Sequence, residues 1–232
     1  MTSIVLPCYN PLIGWEQIIF TNYDSFCNKI AAPIELILVL DGVSTSITKE
    51  AINFLKYKIP SIKIIQYQVN RGKGYAIRQG VKEATGDIII YTDADFPYTE
   101  DSLYTVYNKL KSKECDIAIG IKNEQYYDQV PVFRKTISRC LRFFTRVLLS
   151  IPITDTQCGL KGFNDSAKSL FLQTTIDRYL FDLEFVRNCF KSKRYIVKTI
   201  PISLKENIYF RKMNYRVLIS ESVNFIMLLV RK

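Results

Sequence analysis

No histidine occurs among the 232 residues of the chain. The side chain most often used for proton transfer near neutral pH is therefore missing, and Ser-His-Asp and Cys-His nucleophilic centres are excluded. Carboxylates, Lys, Arg, Tyr or a metal are left to carry any chemistry. The six cysteines (Cys8, Cys27, Cys115, Cys140, Cys158, Cys189) form no CxxC pair and no zinc-like spacing, which predicts reduced, mostly buried thiols in a cytoplasmic protein. No basic segment followed by an apolar run opens the sequence, so no secretory leader is expected. The apolar stretch in VNFIMLLVRK falls well short of the ~20 residues that a bilayer crossing needs. Repeats, low-complexity tracts and linkers are missing too. With 48% hydrophobic residues, residues 1–232 read as a single domain with a sizeable core.

What is present is unevenly distributed. Residues 1–133 carry 13 Lys+Arg against 15 Asp+Glu, whereas residues 134–232 carry 19 against 7. The second part faces something anionic: lipid headgroups, a phosphorylated substrate or nucleic acid. No familiar nucleic-acid motif accompanies the charge. Within Arg134 to Ser150, Lys135, Arg139, Arg142 and Arg146 share one helical stripe while Ile137, Leu141, Phe144 and Leu148 lie opposite. The pattern predicts a basic amphipathic helix, about 134–150, on an anionic membrane surface or around a phosphorylated ligand; a core-packed helix with a solvated basic face would look the same. A second helix, about 213–230 and followed by Arg231 and Lys232, also suits a membrane interface.

Short apolar, β-branched runs at Ile4 to Leu6, Leu36 to Leu40, Ile62 to Val69, Ile88 to Tyr91, Asp116 to Ile121 and Tyr195 to Leu204 predict strands. Helix-length segments alternate with the first of them. This order predicts an α/β fold: a doubly wound, mostly parallel central sheet flanked by helices. Such sheets bind ligands beyond the carboxyl ends of their strands. The strand at Ile88 runs into Asp93-Ala94-Asp95, and continued extended backbone would point both carboxylates the same way. A divalent cation sharing phosphate oxygens with a substrate is a reason to tolerate that repulsion, although a polar turn with two surface acids also fits. Asp41-Gly42 closes the second strand. Asn70-Arg71-Gly72-Lys73-Gly74 opens a helix running to about Ala84, either offering N–H groups and positive charge to a phosphate or merely supplying turn glycines. Residues 122–132 form a lid or a plain connection. Asp155, in Thr154 to Phe163, is presented to a site or makes an Asx-turn. Asp182 and Glu184, in FDLEF, complement a helix dipole.

Several of these stretches coincide with one family. LPCYN at Leu6 to Asn10, LDG at Leu40 to Gly42, NRGKGYAIRQG at Asn70 to Gly80, TDAD at Thr92 to Asp95, TDTQCGLKGF at Thr154 to Phe163 and FDLEF at Phe181 to Phe185 resemble family 2 glycosyltransferases of the GT-A fold, in particular polyprenyl (dolichyl) phosphate glucosyl- and mannosyltransferases. The resemblance implies an inverting transfer of a hexose from a UDP-glucose-like or GDP-mannose-like donor to a polyprenyl phosphate, or else to a sugar hydroxyl in surface glycan or lipopolysaccharide synthesis. It implies that Pro7, Tyr9 and Asp41 contact the nucleotide base, that Lys73 lies near the nucleotide, and that Asp93 and Asp95 hold Mg²⁺ or Mn²⁺ on the diphosphate. Asp155 and Gln157 would line the acceptor side, with Asp155 and Asp95 central to catalysis and Arg134 and Arg139 on the lipid phosphate. It also implies a cytoplasmic enzyme, peripheral on the inner face of the cytoplasmic membrane. The chain departs from the family at Pro11, where Glu is usual, and at Leu40 and Val43 in the DDGS pattern. A Trp that often follows the last strand in the lipid phosphate synthases is replaced by PISLKEN. A basic nucleic-acid-binding module and an inactive membrane-docking protein are the non-enzyme alternatives; the oligomeric state is not encoded in any of these features.

Overall fold

A computed structural model describes residues 1–122, 145, 151–153, 155–206 and 215–230. Apart from Thr145, the expected basic helix with Arg134 and Arg139 lies outside the described residues, as does the loop after Lys122. The strands are β1 (Thr2–Cys8), β2 (Ile34–Asp41), β3 (Lys63–Tyr67), β4 (Ile88–Tyr91), β5 (Ile117–Lys122), β6 (Lys161–Asn164) and β7 (Val197–Ile202). Among the described residues the helices are α1 (Trp15–Ile30), α2 (Lys49–Lys58), α3 (Lys73–Glu83), α4 (Glu100–Lys111), α5 (Lys168–Leu172), α6 (Phe181–Ser192) and α7 (Tyr215–Val230).

The seven strands form one sheet in the order β3-β2-β1-β4-β6-β5-β7. Every residue of β2 is buried, as befits a strand covered on both faces. Alternate side chains enter two separate cores. Leu36, Leu38 and Leu40 pack with α1, α2 and α4, while Ile37 and Val39 pack with α3 and the aromatic cluster of Phe163, Phe171, Phe181 and Phe185. The expected doubly wound arrangement is therefore present. Each fully buried Leu, Ile or Phe contributes roughly 1.5–3 kcal/mol relative to exposure, so these two layers hold the strand ends rigidly.

One strand was not expected. Lys161–Asn164, within the stretch read as a turn, is β6, and it runs antiparallel to both β4 and β5. Four residues with a glycine in the middle carry no period that distinguishes strand from loop. Its register sets Lys161 opposite Tyr91, at the carboxyl end of β4. The residues preceding β6 are thereby carried to the edge where TDAD emerges. At the far end of the chain, α7 is tied down by Glu221, whose carboxylate accepts the Leu180 N–H at 2.7 Å, while Val223, Ile226, Met227 and Val230 are exposed.

Candidate active site

Strand β4 ends at Tyr91, and residues 93–96 turn, with the Phe96 N–H donating to the Asp93 carbonyl at 3.0 Å and Phe96 itself at φ 45. The expected same-face alignment of Asp93 and Asp95 does not arise, because two-residue alternation holds only while the backbone stays extended. Asp93 is partly exposed and pairs with the Lys73 ammonium at 2.6 Å. Asp95 is exposed, and its charge acts on Lys205. Burial pushes the Lys205 ammonium below the ordinary range, with Asp95 and Glu100 opposing that shift. Lys205 follows the last strand, where no sequence signal marks it.

Lys73 reaches Asp93 from the first residue of α3, and the way this helix is held revises the expectation for its glycine-rich start. The Asp41 carboxylate accepts the Asn70 side-chain amide at 2.8 Å, the Arg71 N–H at 2.8 Å and the Gly72 N–H at 2.9 Å. The Tyr75 N–H donates to the Asp177 carbonyl at 3.1 Å. These N–H groups serve the protein rather than an open phosphate cradle. Gly72 has φ +111, and a Cβ there would lie 2.5 Å from the Asp177 carbonyl oxygen, so glycine is needed for backbone shape and close approach. What the loop offers a ligand is the Lys73 side chain. Burial works against its charge, but Asp93, with Asp182 behind it, more than compensates and holds the ammonium above the ordinary lysine range.

The loop before β6 closes the site from the other side. Asp155 is buried; its Oδ1 accepts the Gln157 N–H at 3.2 Å, the Asx-turn alternative, and its Oδ2 accepts the Lys122 N–H at 3.1 Å, with the Lys122 ammonium at 3.8 Å. Beyond it, the Gly159 N–H donates to the Tyr98 hydroxyl at 2.8 Å. A Cβ on Gly159 would stand 2.5 Å from Asp93 Oδ2 and 3.3 Å from Lys73 Nζ. The two motifs are thus in contact. Burial, then Asp155, push the Cys158 thiol up to about 11, in keeping with a reduced and unreactive cysteine.

Behind this contact lies an interaction that the sequence reading missed. Lys161 is fully buried; its ammonium lies 2.5 Å from Asp182 and donates to the Cys158 carbonyl at 2.5 Å, while the Tyr91 hydroxyl donates to Asp182 at 2.7 Å. Glu184 is likewise buried, accepting the N–H groups of Thr175 and Ile176, each at 2.8 Å. The acids of FDLEF therefore do more than complement a helix dipole. A lysine placed two residues after a glycine inside a strand-length apolar stretch was the one available signal. The remaining residues singled out lie along the same carboxyl edge. Pro7 falls beyond the last β1–β4 pairing, so its missing N–H costs no ladder bond. Tyr9 is half-exposed, and Asn10 beside it accepts the Ser44 hydroxyl at 3.0 Å.

Asp93 and Asp95 supply the hard oxygen donors that Mg²⁺ or Mn²⁺ takes, an ion that binds through one or two carboxylates and completes its shell with water and substrate phosphates. Among the described residues no group of three or more His, Cys, Asp or Glu side chains could hold a metal unaided. The Gly159 backbone approaches Asp93 so closely that a Cβ would fall 2.5 Å from Oδ2, and only glycine leaves that carboxylate oxygen uncovered. In donor chemistry, though not by a shared face in this arrangement, the two carboxylates fit an ion that a substrate's phosphates would also hold.

The chain is similar to several known proteins. The dolichyl-phosphate beta-glucosyltransferase of Saccharomyces cerevisiae is 30% identical over 224 residues, which cover 88% of this chain and 66% of that protein. Its counterpart in Homo sapiens is 29% identical over 200 residues, covering 79% and 61%. The chain thus spans slightly less than two thirds of these relatives. Glucosyl-3-phosphoglycerate synthase from Mycobacterium tuberculosis, solved with Mn²⁺, UDP-glucose and phosphoglyceric acid, superposes with a TM-score of 0.67 at 15% identity over 99% of this chain and 78% of that one. The sheet and its flanking helices form the GT-A fold that the motifs implied. Residues 3–171, which include the Lys73–Asp93 pair and the loop pressed against it, match the glycosyl transferase family 2 model, and the chain belongs to that family.

Proposed function

We propose that the chain is an inverting glucosyltransferase that moves glucose from a nucleotide diphosphate sugar to a polyprenyl phosphate at an anionic membrane surface. The observation that carries this reading is the Lys73–Asp93 ion pair at the carboxyl edge of the central sheet, with the Gly159 backbone against it. The likeness to dolichyl-phosphate beta-glucosyltransferases supports glucose as the sugar and a lipid phosphate as the acceptor.

Pro7 and Tyr9 line the nucleotide side, and Asp41 serves that side by holding the loop that presents Lys73. Asp93 and Asp95 would hold Mg²⁺ or Mn²⁺, which supplies Lewis-acid stabilisation to the departing diphosphate. Lys73, itself mostly buried, offers the diphosphate a fixed positive charge. An acceptor phosphate oxygen attacks the anomeric carbon; the bond from that carbon to the nucleotide's phosphate oxygen breaks, its electron pair leaves on the diphosphate, and the anomeric configuration inverts. A phosphate monoester, with its second pKa near 6, is ionised near neutral pH and needs positioning more than deprotonation. Arg134 and Arg139 would give that positioning, with Gln157 on the same side.

The environment of Asp155 favours this acceptor over a sugar hydroxyl. Both its oxygens already accept backbone N–H groups, which suits a residue that shapes the acceptor loop better than a free general base. The positive excess of residues 134–232 and the exposed apolar stripe of α7 support docking on anionic lipid, on the inner face of the cytoplasmic membrane. Among the described residues no helix is long and apolar enough to cross a membrane. The test is a screen of labelled UDP-glucose, GDP-mannose and related donors with Mn²⁺ and a polyprenyl phosphate, with product extracted into organic solvent. Label from UDP-glucose in the organic phase is expected. Label appearing only on water-soluble sugar acceptors, or nowhere, overturns the reading.

A further inference from the structure

Lys161 and Tyr98 are the two groups that fix the Cys158–Gly159 peptide. The Lys161 ammonium takes the Cys158 carbonyl at 2.5 Å, and the Tyr98 hydroxyl takes the Gly159 N–H at 2.8 Å. Both are buried side chains, and neither points at open solvent. The peptide they hold is the one whose Gly159 Cα sits so close to Asp93 that a Cβ would fall 2.5 Å from Oδ2. A fully buried ammonium is costly unless paired and hydrogen-bonded. Asp182 provides the pairing at 2.5 Å and is itself held by the Tyr91 hydroxyl at 2.7 Å. The three anchors come from separate parts of the chain: Tyr91 from β4, Lys161 from β6 and Asp182 from the first turn of α6. They meet because the antiparallel register sets Lys161 opposite Tyr91.

If stability were the whole purpose, apolar side chains of similar size would serve as well, since replacing a buried ion pair by well-packed hydrophobic residues is often neutral or stabilising. An apolar pair cannot hold a carbonyl in place. We propose that Lys161, oriented by Asp182 and Tyr91, and Tyr98 on the opposite side of the same peptide are positioning residues for the donor site: together they set the Cys158–Gly159 backbone against Asp93 and Lys73, and so fix the space in which the nucleotide's diphosphate is held. The proposal rests on the donor half of the function proposed above and is independent of the acceptor.

The experiment measures three quantities on the whole chain: thermal unfolding, Mn²⁺-dependent binding of UDP and GDP by calorimetry, and the kinetics of transfer. The double variant Lys161→Met/Asp182→Leu removes the pair without leaving a lone charge. Its melting temperature should stay within a few degrees of the parent's, while nucleotide affinity and the donor kcat/KM fall at least ~10-fold and the acceptor KM is unchanged. Tyr98→Phe, which removes one oxygen from the other anchor, should give the same signature with a similar loss, and it carries the test alone if the double variant does not fold. A folded double variant, or a folded Tyr98→Phe, that binds nucleotide and uses donor like the parent overturns the proposal; so does a loss that falls equally on donor and acceptor. A parent protein that binds neither nucleotide overturns both the donor site and this inference, whereas one that binds UDP but labels no lipid overturns only the acceptor assignment.

Discussion

Asp41 offers a sharp discrimination between a residue that contacts the nucleotide and one that builds the loop beside it. It is 3% exposed, and its two oxygens serve three donors: Oδ1 takes the Arg71 N–H, while Oδ2 takes the Asn70 amide and the Gly72 N–H. In Asp41→Asn the single amide oxygen can keep at most two of them. The side-chain NH₂ then faces the Arg71 N–H, donor against donor. One hydrogen bond to a charged group is worth about 1.5–3 kcal/mol, an unsatisfied buried donor costs about 1–3, and the retained bonds weaken as the charge disappears. The expected loss is roughly 4 kcal/mol. A chain of this size has an unfolding entropy near 0.5 kcal/mol/K, so the melting temperature should drop by about 8 °C. Circular dichroism melts with and without UDP and Mn²⁺ measure it, paired with nucleotide binding well below the transition. If Asp41→Asn melts within ~2 °C of the parent yet no longer binds nucleotide, Asp41 faces the ligand and the loop-building account is wrong.

Two further outcomes follow from the same geometry. Gly159→Ala should leave the melting temperature almost unchanged but lower transfer about 100-fold, because a methyl group 2.5 Å from Asp93 Oδ2 must displace the carboxylate or its loop; activity within ~3-fold of the parent would show that this contact is slack. Glu35 makes a prediction about pH. Its burial favours the neutral acid, yet Lys63, Ser3 and Thr85 outweigh that and hold the carboxyl down at about 2, below its ordinary 4.5. The folded form thus binds this proton less readily than the unfolded chain, so the contribution, about 3 kcal/mol, is complete above pH 4.5 and is lost as pH falls toward 2. Urea titrations at pH 6, 4 and 3 should show Glu35→Gln less stable than the parent at pH 6, with the gap closing at pH 3, and a gap that stays constant would refute the assignment.

How far the sequence could be read depended on whether a residue's role was carried by local pattern or by long-range register. Ile4, Leu36 and Ile88 head apolar β-branched runs, and a strand covered on both faces needs no more than that, so six of the seven strands and their mostly parallel order were legible. β6 was not, because Lys161–Asn164 is defined by pairing with Tyr91 on one side and Ile117 to Ile119 on the other. The alternation argument for Asp93 and Asp95 failed for a related reason: it assumed that extended backbone continues past Tyr91, where the chain turns instead. For the glycines of NRGKG the local pattern allows two readings, N–H groups offered to a phosphate or plain turn residues, and does not choose between them. Asp41, thirty residues earlier, takes two of those groups, and no local pattern could reveal it. Lys161 carries no local signal of burial, and Asp182 shows only an acid suited to the first turn of a helix, because a charged residue reads as solvent-facing until its partner is seen.

The electrostatics explain why so many charges can gather at this edge. Lys73 with Asp93 and Lys161 with Asp182 are two ammonium groups against two carboxylates, so these two pairs balance each other's charge, and Asp95 adds one exposed carboxylate beside them. An excess of either sign would be costly in partial burial, where desolvation rivals the attraction between partners. A diphosphate arriving with a divalent cation is also far less charged than the diphosphate alone. On the proposed function it would enter at small electrostatic cost, and Lys73 would then be shared between Asp93 and a phosphate oxygen without either charge being left unpaired. The deeper pair has no such freedom. Lys161 is sealed from solvent, and Asp182 has the Tyr91 hydroxyl as a further partner. On the proposed function one lysine would respond to the ligand and the other would hold the backbone still while it does, a division that matches their burial: Lys73 is 17% exposed and Lys161 not at all.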